Sequence, residues 1–200
     1  MGEVYTGIKF RTVFKGREVL DLEPLADLGS WCRRLAEAGL APSGAEGSAG
    51  NLSFRHGDGF VITATGVNLQ HVEEGDFTEV LEADRRKLTV VVRGPKEPSS
   101  ESLMHSFIYE HRQEIQAVFH GHDELILRYG ARLGLGVTEL AQPYGTPALV
   151  EEVGKVLARH TYLVLRGHGF VALGDTMEAA GHEALRWHEE AQRYLRSAGE

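Results

Sequence analysis

Ile115-Gln116-Ala117-Val118-Phe119-His120-Gly121-His122 reads as a strand that ends on two histidines. In an extended chain, side chains two apart lie on one face, so Val118, His120 and His122 share a side. Two imidazoles held in that way form half of a metal site. Zinc takes three or four N, O or S ligands, and a catalytic site keeps one position open. A second apolar run, Leu163-Val164-Leu165-Arg166-Gly167-His168-Gly169, closes on another histidine, which makes His168 the candidate third ligand. On its own, a His-x-His strand end also fits exposed or hydrogen-bonded histidines, so the surroundings must decide.

The chain has 200 residues, of which 42% are hydrophobic and 25% charged. That suits one globular domain over 1–200 with a sizeable core. A formal charge of -8 argues against non-specific nucleic-acid binding. There is no run of about 18 apolar residues to cross a membrane, and the N-terminus lacks a signal-peptide pattern. Cys32 is the one cysteine, so no internal disulfide forms and a reducing, cytoplasmic setting is expected. Its place between Trp31 and Leu35 on a helical stripe predicts buried packing.

Working outward toward the N-terminus, residues 8–13 and 17–20 predict a short hairpin at a sheet edge, an extension over 1–20. Asp21 to Ala38 reads as a helix capped by Asp21, with Leu25, Leu28, Trp31, Cys32 and Leu35 as its core face. The Gly/Ser/Ala-rich stretch 41–50 has neither Walker nor dinucleotide glycine spacing, yet such a turn can aim N–H groups at an anion. Two hairpins follow, 52–55 with 60–63 and 77–81 with 88–92. Pro98-Ser99-Ser100-Glu101 then signals a helix start, with Ser99 or Ser100 as cap and an anion-friendly N-terminus. Glu101 and His105 lie four apart on one face of that helix, and His105 reads as structural.

Toward the C-terminus, Asp123 to Arg132 predicts a helix and 137–140 a short strand. Thr146 caps a helix that begins at Pro147, and 161–165 and 170–173 are strands. Asp175 is expected to open the last helix, with Glu178 completing a capping box. His182 and His188 on that helix read as surface residues. Hairpins first, then helices alternating with strands, predict an α/β fold: a three-layer αβα domain around a mixed, largely antiparallel sheet.

Taken together these stretches resemble the class II aldolase/adducin head family. The matching pieces are Gly50-Asn51-Leu52-Ser53-Phe54-Arg55, Val61-Ile62-Thr63-Ala64-Thr65-Gly66, Pro98-Ser99-Ser100-Glu101 with His105, His120-Gly121-His122 and Gly167-His168-Gly169. They occur in the family's order, over roughly residues 22 to 197. The resemblance implies that His120, His122 and His168 bind Zn2+. It implies that Glu101 is the catalytic acid/base, and that Gly50, Asn51, Thr65, Gly66, Ser99 and Ser100 bind the substrate phosphate. It further implies a homotetramer and an aldolase that cleaves a fuculose-1-phosphate-like ketose to dihydroxyacetone phosphate and an aldehyde.

Alternatives inside the family are a dehydratase of the methylthioribulose-phosphate type and a ribulose-phosphate epimerase. The epimerases usually have Asp where this chain has Glu101. An adducin-like scaffold lacks the metal histidines. Gly121 and Asp123 depart from the family's commoner residues, and Gln142 to Ala148 is shorter than the fuculose aldolase pattern.

Overall fold

The computed structural model describes residues 6–45 and 47–198. Residues 1–5 of the expected extension, Glu46 of the glycine-rich loop, and residues 199–200 lie outside the described residues. In chain order the strands are β1 (Arg11–Gly16), β2 (Ser43–Gly44), β3 (Gly47–Ser48), β4 (Gly50–His56), β5 (Gly59–Thr63), β6 (Phe77–Asp84), β7 (Thr89–Arg93), β8 (Ala117–Gly121), β9 (Gly136–Val137), β10 (Tyr162–Leu165) and β11 (Gly169–Gly174). The helices are α1 (Leu25–Glu37), α2 (Ser102–His111), α3 (Glu124–Tyr129), α4 (Pro147–Leu157) and α5 (Met177–Ala198). No described helix is long and apolar enough to cross a membrane.

Nine strands form one sheet in the order β1-β7-β6-β5-β4-β8-β11-β10-β9. The pairs at its two edges, β1 with β7 and β9 with β10, are parallel, and the pairs between them are antiparallel. β8, with its two-histidine end, lies near the centre between β4 and β11. Helices cover both faces, giving the three layers that the pattern predicts.

The two-residue period of the strands sorts the side chains. Leu52, Phe54, Ala117, Phe119, Tyr162, Val164, Phe170 and Ala172 face α1, α3 and α5 in one core cluster. Ile62, Val118, Leu163, Leu165, Val171 and Leu173 face α2 and α4 in the other. Both clusters are well below the surface, and Phe119 and Val118 are each 0% exposed. Truncating Phe119 to Ala would cost about 3–5 kcal/mol through lost transfer energy and a cavity.

Several expectations change. Residues 8–20 form no hairpin: β1 runs parallel to β7, and 17–20 carry no strand. The cause lies in the two packing directions. Phe10 and Phe14 pack against the α2/α4 cluster, whereas Leu20 is buried in the cluster under α1, so the chain leaves the sheet. The edge position does hold. The first helix begins at Leu25 and not at Asp21. Pro24 stands at its boundary, and the Leu25 amide donates to Leu22 O at 3.1 Å, a backbone solution that needs no side-chain cap. On α5 the cap is Thr176, whose Oγ1 accepts from the Ala179 amide at 3.0 Å, in place of Asp175. Thr146 caps α4 as its spacing predicts, whereas Asp123, expected as the first residue of a helix reaching Arg132, caps α3, which ends at Tyr129.

Candidate metal centre and pocket

Register brings the site together. β8 places His120 opposite Asn51 of β4 and opposite Val171 of β11. His168 lies in the turn between β10 and β11, just before Gly169, which pairs Leu165. Glu101 stands at the N-terminal boundary of α2, whose Leu103, Met104 and Ile108 are buried against the same sheet face.

The three imidazoles offer one ligand atom each, and these atoms lie within 4.8 Å of one another. His120 and His168 stack with ring centroids 4.9 Å apart, and His122 meets both edge-on. The Glu101 carboxylate spans the group, with Oε2 3.0 Å from His120 Nε2 and Oε1 3.2 Å from His168 Nε2. Asn51 Nδ2 donates to Glu101 Oε2 at 2.9 Å. His120 Nδ1–H donates to the Phe170 carbonyl at 2.7 Å, which fixes the ring and turns its other nitrogen inward.

That geometry tests whether a cation fits. With Nδ1 donating, a neutral His120 presents a bare lone pair at Nε2. It faces a carboxylate oxygen at 3.0 Å and His168 Nε2 at 3.2 Å. His120 Nε2 and the carboxylate oxygen are both acceptors, a pair satisfied at this distance by a proton or a cation between them, and three imidazoles suit several divalent metals. Burial keeps His122 neutral, pushing its pKa down to about 3, helped by the neighbouring His120 and His168. Burial opposes ionisation of Glu101, but where His120 and His168 carry positive charge their attraction and hydrogen bonds outweigh it and hold the carboxyl well below its usual range.

Glycines let the strands close on this cluster. A Cβ on Gly169 would lie 2.3 Å from Gly121 O and 3.1 Å from His120 Cε1. A Cβ on Gly121 would lie 2.5 Å from Leu40 O and 2.7 Å from Phe170 Cζ. The departure at Gly121 thus answers to the Phe170 ring packed beside the strand.

A cavity of about 340 Å³ opens over the cluster. Gly50, Asn51, Thr65, Gly66, Ser99, Ser100, Glu101, His122 and His168 all line it, so the expected anion residues and the expected metal residues share one space. His120 lies behind them and is fully buried. Backbone bonds fix the walls: Thr65 N–H donates to Glu97 O at 3.0 Å and Ser99 N–H to Thr63 O at 3.1 Å. No Lys or Arg occurs among the described lining residues, so an anion here would meet neutral hydroxyl, amide and backbone donors. The Ser99/Ser100 cap is corrected: a turn precedes α2, with Ser102 N–H donating to Ser99 O at 3.0 Å, and Glu101 becomes the boundary residue.

Other histidines sort by their partners. His105 is structural as expected: it is buried, and its Nδ1 lies 2.7 Å from Ser53 Oγ, which also meets Tyr109 OH at 2.8 Å. His188 is not a free surface residue. Its Nδ1 lies 2.7 Å from Asp123 Oδ2, and its side chain is 19% exposed. Helical spacing alone put it among charged neighbours; the packing of α3 against α5 brings Asp123 to it. Cys32 is buried, which raises its thiol pKa far above the usual range. Lining residues that escaped the sequence reading include Val67 and Tyr144. Tyr144, in Gln142-Pro143-Tyr144-Gly145, forms part of the wall, and its only signal was an aromatic set between proline and glycine just before a helix cap.

Residues 26–195 match the Class II Aldolase and Adducin N-terminal domain family, and the chain belongs to that family. Among its relatives, the 5-methylthioribulose-1-phosphate/5-deoxyribulose-1-phosphate aldolase of Rhodospirillum rubrum is 29% identical over 171 residues, covering 76% of this chain and 72% of that protein. The methylthioribulose-1-phosphate dehydratase of Gluconacetobacter diazotrophicus is 32% identical over 175 residues, covering 74% and 80%. The crystal structure of L-fuculose-1-phosphate aldolase from Thermus thermophilus superposes with a TM-score of 0.69 at 26% identity, covering 87% of this chain and 94% of that one.

Proposed function

We propose that this protein is a metal-dependent aldolase that cleaves a phosphorylated ketose to dihydroxyacetone phosphate and an aldehyde through an enediolate. The observation that carries this reading is the buried carboxylate of Glu101, set 3.0 and 3.2 Å from two imidazoles of a three-histidine cluster in the wall of one cavity. His120, His122 and His168 would hold the ion, with Zn2+ the first choice for three imidazoles. A divalent cation there supplies Lewis-acid stabilisation of the negative charge that develops on the substrate's oxygens.

The chain's own groups supply the rest. Glu101 is held ionised and so is ready to accept a proton from the carbon beside the carbonyl. When substrate separates the carboxylate from an imidazole, burial dominates and raises its proton affinity, which is what a general base needs. Asn51 orients the carboxylate through its amide. Gly50, Asn51, Thr65, Gly66, Ser99 and Ser100 would bind the phosphate and fix the reacting carbons beside Glu101.

A second reading is dehydration of a methylthio-pentulose phosphate, favoured by the similarity to the Gluconacetobacter protein over most of both chains. Epimerisation is less well supported because Glu101 replaces the usual Asp. The adducin-like scaffold is disfavoured by the three convergent imidazoles. We further place the protein in the cytoplasm as a homotetramer, for which sedimentation is the check; a clean monomer would remove the tetramer.

The deciding experiment is proton exchange at carbon 3 of dihydroxyacetone phosphate in heavy water, with and without a chelator. Exchange that disappears on chelation is the expected result. No exchange from metal-loaded protein would remove the aldolase reading and move the search to dehydratase substrates.

A further inference from the structure

The N-terminal segment Thr6–Lys9 lies outside the residues that match the family, yet it is fastened to the pocket wall. Tyr144 is the fastening point. Its hydroxyl donates to the Gly7 carbonyl at 3.0 Å, accepts the Thr6 amide at 2.6 Å, and lies 3.1 Å from Thr6 Oγ1. Lys9 Nζ donates to the Tyr144 carbonyl at 2.7 Å and sits 3.7 Å from the ring centroid, a cation–π contact. The segment is anchored downstream as well, because Phe10 and Phe14 pack on the α2/α4 core and β1 is hydrogen-bonded to β7.

From the other side, Gly145 has φ +64° and its backbone presses on Ser100, so close that a Cβ there would lie 2.6 Å from Ser100 O. Tyr144 is thus clamped between the strap and the Ser99-Ser100 wall, and is 5% exposed. Tyr144 lines the cavity while Thr6 and Gly7 engage its hydroxyl, so an aromatic ring with a committed hydroxyl stands in the wall.

We propose that Thr6–Lys9 is a positioning strap that sets Tyr144 as a specificity-determining wall, one that favours a substrate whose non-phosphate end is apolar over one that ends in hydroxyls. The substrate class rests on the aldolase reading above. The positioning does not, and the two can fail separately.

Lys9→Met removes both contacts to Tyr144 and touches no residue assigned to catalysis or phosphate binding. Amide hydrogen exchange should accelerate by about tenfold in residues 6–10 and 142–146, and stay unchanged in 50–66 and 117–122. Lys9→Arg should restore protection. Unchanged exchange at 142–146 would overturn the strap whether or not the protein is an aldolase.

With dihydroxyacetone phosphate and either propanal or glyceraldehyde, the wild type should prefer propanal. Lys9→Met should narrow that kcat/KM ratio by about threefold or more, mainly through KM. Metal content and proton exchange into dihydroxyacetone phosphate should remain within about twofold of wild type. A lower Tm with an unchanged aldehyde ratio would mean the strap is structural only, and would overturn the specificity role. If the wild type exchanges no proton at all, the aldolase reading fails, and the strap stands or falls on the hydrogen-exchange result.

Discussion

His120 and His105 are both 0% exposed, and each commits Nδ1 to a short hydrogen bond. They differ in what the second nitrogen meets. His120 Nε2 faces the Glu101 carboxylate and His168 at the back of a cavity. His105 Nε2 is sealed in the core, with no hydrogen-bond partner among the described residues. Burial pushes the His105 pKa down to about 3, so it stays neutral there. The same residue type at the same depth is therefore a ligand candidate in one place and a packing residue in the other. The difference is set by the strand register that brings Asn51 and Gly121 beside the first, and by the Ser53–Tyr109 pair that holds the second.

The sharpest way to break this comparison is to remove each histidine in turn. His120→Ala should abolish bound metal and turnover while the circular dichroism spectrum is kept. If metal content by elemental analysis is unchanged, His120 is not a ligand. Glu101→Gln comes next: it should keep the metal and lower proton exchange by about 10²–10⁴-fold, the usual worth of a positioned general base. Undiminished exchange would take Glu101 out of the mechanism.

On the other side of the comparison, Ser53→Ala strips a partner from His105 and from Tyr109. It should cost about 1–3 kcal/mol in urea unfolding, because buried polar groups lose their bonds. Activity at saturating metal should change little. A large loss of turnover with full stability would make the Ser53–His105 pair part of the chemistry after all.

A pH series on the chelator-treated protein separates two further histidines by sign. For His105 the folded pKa lies below the unfolded one, so the unfolded chain takes up the proton first. Stability from this residue is present above about pH 6.5 and is lost as pH falls toward about 3, with a slope near 1.4 kcal/mol per pH unit. For His188, the hydrogen bond that its Nδ1–H donates to Asp123 raises the folded pKa. Its contribution is present below the unfolded value and is lost as pH rises through the folded one. His188→Gln should thus flatten the alkaline side of the profile and His105→Asn the acid side. The opposite assignment would refute the partners given to them.

Much of this was legible in the chain. The two-residue alternation of β8, β10 and β11 and the helical stripe of α1 follow from backbone geometry that every sequence obeys, so they could be read locally. So could Thr146 as a cap, because a cap acts within three residues. The hairpin was misplaced where a distant surface competed, and the first-helix and last-helix starts where a local alternative did. Residues 17–20 gave up a local turn because Leu20 found burial under α1. The α5 cap moved by one residue to Thr176, a shift within the reach of local alternatives.

By itself the sequence determined the family, the three-layer fold class and the histidines and glutamate that gather in one place, because motif order and periodicity are properties of the chain. Only the tertiary structure decided that those groups meet at one cavity, that Gly121 makes room for Phe170, that His188 holds Asp123 and that Tyr144 joins the wall. Each of these depends on atoms far apart in sequence coming within about 3–4 Å, and contact at that range is set by packing and register, which a linear pattern does not encode.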